Sequence, residues 1–396
     1  MTRYSILLAA LFLIACGDGT EGTEANRDNG TPGSGGGEHA EWSLITSPCE
    51  DTHEVALFPR DATAWIAGCP GMIRTQNPRG LGLYRTTDGG TTWSSVGGWE
   101  EATVHDMALL PDGSTLVLSG TRLRRAGEEI TSVEILWSAD INDASLAPTV
   151  LYEVVPPSVR GDSTSLAITA DGTIYVQDQN AADFLVGTIG GAFERVASGG
   201  IAKRLTALGD EVAAFPGGER GTTDLDILLE NRGGDDPLLE RLTIYNDPEA
   251  TMSAGTALSY ADGMAYAAGF KMPGMIPLVL ANDGDLYDPS SWEELTLPLN
   301  DGIGPGVAIT SRAGVKVLIG VSGTTSTTSW VAISRDDWST IEFFNRLNMP
   351  DMARNLGDGD VELKHLRLLD DGTILVWGRD GASNSQSGGY IAHFGK

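Results

Sequence analysis

Three of the five histidines, His53, His105 and His365, stand just before an apolar run that leads into a turn. Imidazoles placed alike in a repeated fold could converge on a metal, although three ordinary strand-start residues would look the same. His39 and His393 lie near the two ends of the chain. Carboxylates crowd at Asp235-Asp236, at Asp283 to Asp288, at Glu293-Glu294 and at Asp358 to Glu362. A glycosidase needs two carboxylates across one cleft, one of them kept acid-like by burial. With 54 acidic residues in the chain, crowding alone points first to solvated turns. Asp283-Gly284-Asp285 opens like a calcium loop, and Glu294 falls where the closing ligand would. The sixth position is Asp288 instead of glycine, so the register fails. A structural calcium is therefore an expectation without a site. No other cofactor and no set of metal ligands is read, and no residue is assigned as catalytic. Nucleophile elbow, phosphate loop and dinucleotide fingerprint are all missing from the sequence.

The elements that would position these groups are short. After Glu41 the chain shows runs of Val, Ile, Leu, Tyr and Trp broken every few residues by Gly, Asp, Pro or Asn. One unit recurs: an apolar strand, an Asp-Gly turn, and a second strand that often ends in Gly. It is clearest in DMALLPDGSTLVLSG (106–120), SLAITADGTIYVQDQ (165–179) and LRLLDDGTILVWG (366–378). Weaker copies lie at 54–68, 205–217, 257–269 and 307–320. Third and usually fourth strands follow each copy but the last, and four antiparallel strands per period describe a propeller blade. The last copy lacks a fourth strand, and EWSLIT (41–46) is a strand without a blade. The spacing predicts an all-β, single seven-bladed β-propeller of four-stranded antiparallel blades over 41–396, closed by the N-terminal strand completing the last blade. Six or eight blades stay open, because the copy at 205–217 is weak.

The amino terminus has its own logic. Arg3 precedes an apolar run from Tyr4 to Ala15 that is too short to span a membrane comfortably. Leu13-Ile14-Ala15-Cys16 resembles the lipobox of bacterial lipoproteins. The resemblance implies a signal peptide, 1–15, cut before Cys16, which would carry the acyl chains. Residues 16–40, rich in Gly, Thr, Asn and acids, would then be a flexible tether. The remaining cysteines, Cys49 and Cys69, flank a hairpin-like unit in an exported chain. They read as a disulfide, with two buried thiols as the alternative.

Within LYRTTDGGTTWSSV, the residues Thr86, Asp88, Gly90 and Trp93 match the Asp-box, or BNR repeat. Ser334-Arg335-Asp336-Asp337-Trp338 is a degenerate echo, and Asn282-Asp283-Gly284 a fainter one. The chain thus resembles the sialidase and sortilin-like propellers. The resemblance implies a structural turn between third and fourth strands at the outer rim. A sialidase would also need an arginine clamp in an Arg-Ile-Pro-like strand and a Tyr–Glu pair. Arg60 and Arg74 lie in no such context.

A net charge of −28 excludes a basic stripe for nucleic acid and disfavours charge-driven docking on anionic lipid. The resulting expectation is a monomeric, lipid-anchored envelope module that recognises a protein or glycan without catalysis. It would be exported and held at the outer membrane by its anchor alone. Two alternatives stay open: a glycoside hydrolase or lyase acting on a polysaccharide, and a structural part of an outer-membrane assembly.

Overall fold

Asp-Gly turns set the hairpins through the carboxylate of the aspartate. Asp112 Oδ1 accepts the amides of Ser114 and Thr115 at 2.7 and 2.8 Å, and Gly113 takes a φ of 69°. Asp171 and Asp371 hold the amides of Thr173 and Thr373 in the same way, each at 2.9 Å. The computed structural model describes residues 41–50, 55–72, 79–126, 129–154, 164–178, 183–197, 204–216, 223–231, 239–250, 252–272, 276–299, 306–322, 328–345, 361–380 and 386–393. The signal peptide, Cys16, the tether, His53 and Asp235-Asp236 lie outside them. Among the described residues no helix is long and apolar enough to cross a membrane.

The first strand, β1 (Glu41–Glu50), has no partner close in sequence. The next four, β2 (Ala56–Pro59), β3 (Trp65–Met72), β4 (Arg79–Thr86) and β5 (Ser94–Ser95), form one antiparallel sheet. A second sheet holds β6 (Ala102–Leu109), β7 (Thr115–Ala126), β8 (Glu129–Asp140) and β9 (Thr149–Val154). A third holds β10 (Thr164–Ile168), β11 (Ile174–Asp178), β12 (Asp183–Gly187) and β13 (Phe193–Ala197). The weak copy at 205–217 supplies β14 (Thr206–Leu208) and β15 (Glu211–Ala214), which pair on with β16 (Asp224–Glu230) and β17 (Leu239–Asn246). Two further sheets follow. One is β18 (Met252–Ala261), β19 (Met264–Met272), β20 (Ile276–Asn282) and β21 (Glu293–Glu294). The other is β22 (Gly306–Arg312), β23 (Val315–Ser322), β24 (Thr328–Ser334) and β25 (Glu342–Asn345). The chain ends with β26 (Val361–Leu368), β27 (Ile374–Asp380) and β28 (Gln386–His393), whose outer partner is β1. The described strands thus make seven four-stranded sheets in a multi-bladed antiparallel propeller.

Neighbouring sheets bury their apolar faces against each other. Ile66 and Leu83 of the first sheet meet Val104, Leu118 and Trp137 of the second, with Trp99 edge-on to Trp137 at 5.3 Å. Tyr175 and Phe184 meet Val212 and Leu228 between the third and fourth. Trp42 sits edge-on to Phe344 at 5.4 Å between the last two.

Closure needs correcting in kind. The expectation was closure by the N-terminal strand, but among the described residues β1 hydrogen-bonds only within the last sheet, whose outer strand it is. Among the described residues none of the sheets is itself closed by hydrogen bonds, and no strand ladder joins one sheet to the next. Ile45, Trp377 and Leu375 of the last sheet instead pack on Leu57, Trp65 and Ala67 of the first. Within this same core a disulfide links Cys49 of β1 to Cys69 of β3, so the seam carries a covalent staple.

The glycine expected to end many second strands lies inside them, and its place has a steric cause. The ladders of β6, β18, β22 and β26 skip one residue, at His105, Thr256, Val307 and Lys364. Opposite each bulge stands Gly120, Gly269, Gly320 or Gly378. A Cβ on Gly120 would lie 1.9 Å from the Thr103 carbonyl oxygen, and one on Gly269 would lie 2.2 Å from that of Ala254. Backbone cannot yield as a side chain tip can. Gly120→Ala is therefore expected to cost about 3 kcal/mol, read as a lowered midpoint in denaturant with the slope unchanged.

At 86–93 the Thr86 hydroxyl donates to Asp88 Oδ1 (2.7 Å) and accepts the Gly90 amide (3.1 Å). Asp88 in turn accepts the Thr92 amide and hydroxyl at 2.9 and 2.6 Å. Ser334, Asp336, Trp338 and Thr340 repeat every one of these bonds at 2.7 to 3.0 Å. Asp337 and Trp338 stand where the first turn has Gly89 and Gly90, and both adopt positive φ, 56° and 65°. The missing glycine did not abolish the turn; the hydroxyl and carboxylate hold it. Bonds from Thr92 keep the Asp88 carboxyl at about 2, and bonds from Thr115 keep Asp112 at about 2. Folded values below unfolded ones give stability that is present above the unfolded carboxylate range and lost as pH falls through the folded value. Thermal midpoints should hold from neutral pH down to about pH 4 and then fall between about pH 4 and pH 2, and Asp88→Asn should flatten part of that fall.

Candidate active site

A channel of about 840 Å³ runs along the first strands of six sheets, lined from β6, β10, β14, β18, β22 and β26 and from the approach to β14. Bulges re-aim the residues that follow them. Asp106 and His365 each come directly after one, so two chemically active side chains share a level in two sheets. Arg204, just before β14, reaches both. Its Nη1 donates to His365 Nδ1 at 2.8 Å, and its Nη2 lies 3.6 Å from Asp106 Oδ1.

Each member is held. Asp106 accepts the Met107 amide at 2.9 Å and the Leu166 amide of the next sheet at 3.1 Å. His365 stacks on Trp377, with centroids 5.1 Å apart and planes 20° apart. The Trp377 indole donates to the Val55 carbonyl at 3.0 Å, which ties the imidazole platform to the first sheet across the seam. Arg367, two residues beyond His365, leans over the same indole at 6.0 Å and donates to the Leu366 carbonyl.

The electrostatics follow from these positions. Arg367 is open to solvent in the channel, yet protein surrounds it. That enclosure, and then the charge of Arg204, lower its guanidinium to about 10, with Asp106 opposing. A guanidinium has only N–H donors, so Nδ1 of His365 must be the acceptor, and the imidazole hydrogen sits on Nε2. The cluster holds two arginines against one carboxylate that already serves two amides. It is a cationic site inside an acidic protein, and it is built to receive an anion.

Sequence reasoning singled out His365, as one of three alike-placed imidazoles, but missed Arg204, Arg367, Asp106 and Trp377. Of the other singled-out groups, His105 is the bulge residue of β6 and contacts Thr103 Oγ1 at 3.0 Å, away from the channel lining. Asp288 caps a short turn at Pro289–Ser291, and Glu294 accepts from Tyr245 and Lys271 at 2.7 and 2.8 Å. Among the described residues no three His, Cys, Asp or Glu side chains converge as a metal site. The expected non-catalytic binding module is corrected here, because it rested on the lack of a convergent set and the channel holds one. The alternative of a hydrolase or lyase fits the geometry better.

No protein-family model and no curated protein matches the chain. Solved structures do. YCF48 from Cyanidioschyzon merolae is 12% identical over 89% of this chain and 98% of that one, with a TM-score of 0.55. Virginiamycin B lyase from Staphylococcus aureus is 11% identical over 89% and 99%, with a TM-score of 0.51. Oligogalacturonate lyase in complex with manganese is 12% identical over 90% and 97%, with a TM-score of 0.51. At such identities the likeness is one of fold. The chain is a multi-bladed antiparallel β-propeller, similar in fold at low identity to propellers that include lyases.

Proposed function

We propose that this protein is a lyase that cleaves a carboxylate-bearing polysaccharide by β-elimination. The observation that carries the reading is the pair Arg204 and Arg367 beside His365, inside a channel, in a chain of net charge −28. Two of the propellers with this fold are lyases, which supports the assignment of reaction type.

Arginine forks pair bidentately with carboxylates. Arg204 turns its fork to the sugar carboxylate and so uncovers the lone pair on His365 Nδ1. Carboxylate neutralisation makes the adjoining C–H more acidic, because the guanidiniums stabilise the charge that spreads onto the carboxylate in the transition state. Nδ1 takes that proton, the C–H electron pair becomes the new C=C, and the bond to the glycosidic oxygen breaks. The imidazolium then passes its proton to the departing oxygen. Products are an unsaturated acidic sugar end and a new hydroxyl end, and the imidazole is neutral again. Asp106 positions Arg204 and takes no proton in this scheme.

On this reading Cys16 carries a lipid that holds an exported, monomeric enzyme at the outer membrane. The turns at 86–93 and 334–340 are Asp-boxes serving as blade joints. The test is to incubate the protein with polygalacturonate, alginate and hyaluronate. Ultraviolet absorbance from the conjugated C=C should rise in step with new reducing ends on one of them. Reducing ends without absorbance would make it a hydrolase, and neither signal on any acidic polymer would overturn the reading.

A further inference from the structure

We infer that Tyr260 forms a sugar-stacking subsite farther along the channel, so that the substrate is bound as an oligosaccharide and not as a single acidic residue. The inference rests on the lyase reading and adds to it. Tyr260 lines the channel and is 43% exposed, one of four large apolar side chains in the described protein that are so open. Its ring is nonetheless seated. A Cβ built on Gly209 of the neighbouring β14–β15 turn would meet the Tyr260 ring at 3.4 to 3.6 Å, so the phenol rests over that glycine. The hydroxyl end of the ring is thereby backed by an adjacent blade, while the side chain stays open in the channel. An open, preordered aromatic face suits the C–H face of a pyranose ring.

Register gives the spacing. The residue after the bulge is Ala257 in β18, level with Asp106 in β6 and His365 in β26. Tyr260 lies three residues further toward the hairpin. At a strand rise of about 3.3 Å per residue, that sets Tyr260 about 10 Å along the channel from the level of the arginine cluster, an offset of about two sugar rings. The hairpin end is also less cationic than the cluster. Arg312 there is paired with Asp370, and Asp262 accepts the Ser311 hydroxyl at 3.1 Å. A neutral ring face suits this end, while the carboxylate belongs at Arg204 and Arg367.

Calorimetry on the full protein with galacturonate and with its di-, tri- and tetrasaccharides separates the two ideas. Affinity should rise about fivefold to tenfold once the chain is long enough to reach Tyr260. Tyr260→Ala should erase that gain while galacturonate itself binds as before, and Tyr260→Phe should keep it. Galacturonate binding with no gain on lengthening, or a gain that survives Tyr260→Ala, would overturn the subsite and leave the lyase reading standing. No binding by any member of this series or of the matching alginate and hyaluronate oligosaccharides would overturn both.

Discussion

Replacing His365 by alanine is expected to lower turnover by about 10²- to 10⁴-fold while acidic oligosaccharides still bind. The split follows from geometry. His365 offers a lone pair at the level where Arg204 would present a carboxylate, so its loss removes the proton acceptor. The two guanidiniums that bind the anion remain. Arg204→Ala should do the reverse and weaken binding by about 10- to 100-fold, the worth of a charge-assisted hydrogen bond. Because His365 stacks on Trp377, His365→Gln serves as a control that keeps a planar group there. It should be as inactive as the alanine variant. If either variant kept wild-type turnover, His365 would not be the base. If both variants lost binding together with turnover, the assigned division of labour would be wrong.

The second large effect concerns the seam. Cys49→Ser with Cys69→Ser is expected to cost about 3 kcal/mol, as a staple over a loop of this length provides. The residues joined lie 20 apart in the chain but belong to the last and first sheets. Among the described residues no hydrogen-bonded ladder crosses there, so the staple and the core around Trp65 and Trp377 carry closure. A thermal scan of wild-type protein with and without reductant should show a midpoint lower by about 5 °C when reduced. The double serine variant should not respond to reductant. Trp377 sits in that same core and under His365, so the variant should also lose activity at temperatures where the fold still persists. A variant with unchanged midpoint would mean that packing alone closes the ring.

How much of this was legible differs between scaffold and site. The hairpins could be read because Asp112, Asp171 and Asp371 act on neighbours two or three residues away. The closing glycines could be seen but not explained, since Gly120 and Gly269 answer to carbonyls on the partner strand. The echo at 334–340 was undervalued. Its pattern was judged by glycines, whereas Ser334, Asp336 and Thr340 make the bonds. The site was nearly invisible, because Arg204 and His365 meet across 161 residues of chain. Against 54 carboxylates, a cationic cluster of two arginines leaves no trace in composition. One signal was present. Aligning the copies on their hairpins puts Asp106, Arg204 and His365 at one shared first-strand position, where other copies carry Ala56, Ser165, Ala257 and Ala308.

The most direct measurement is a crystal structure of the His365→Ala protein with an acidic oligosaccharide bound. The predicted result is a sugar carboxylate held by Arg204 and Arg367, with the adjoining carbon facing the space that the imidazole occupied. A saccharide bound elsewhere, or one whose carboxylate points away from both arginines, would contradict the lyase assignment.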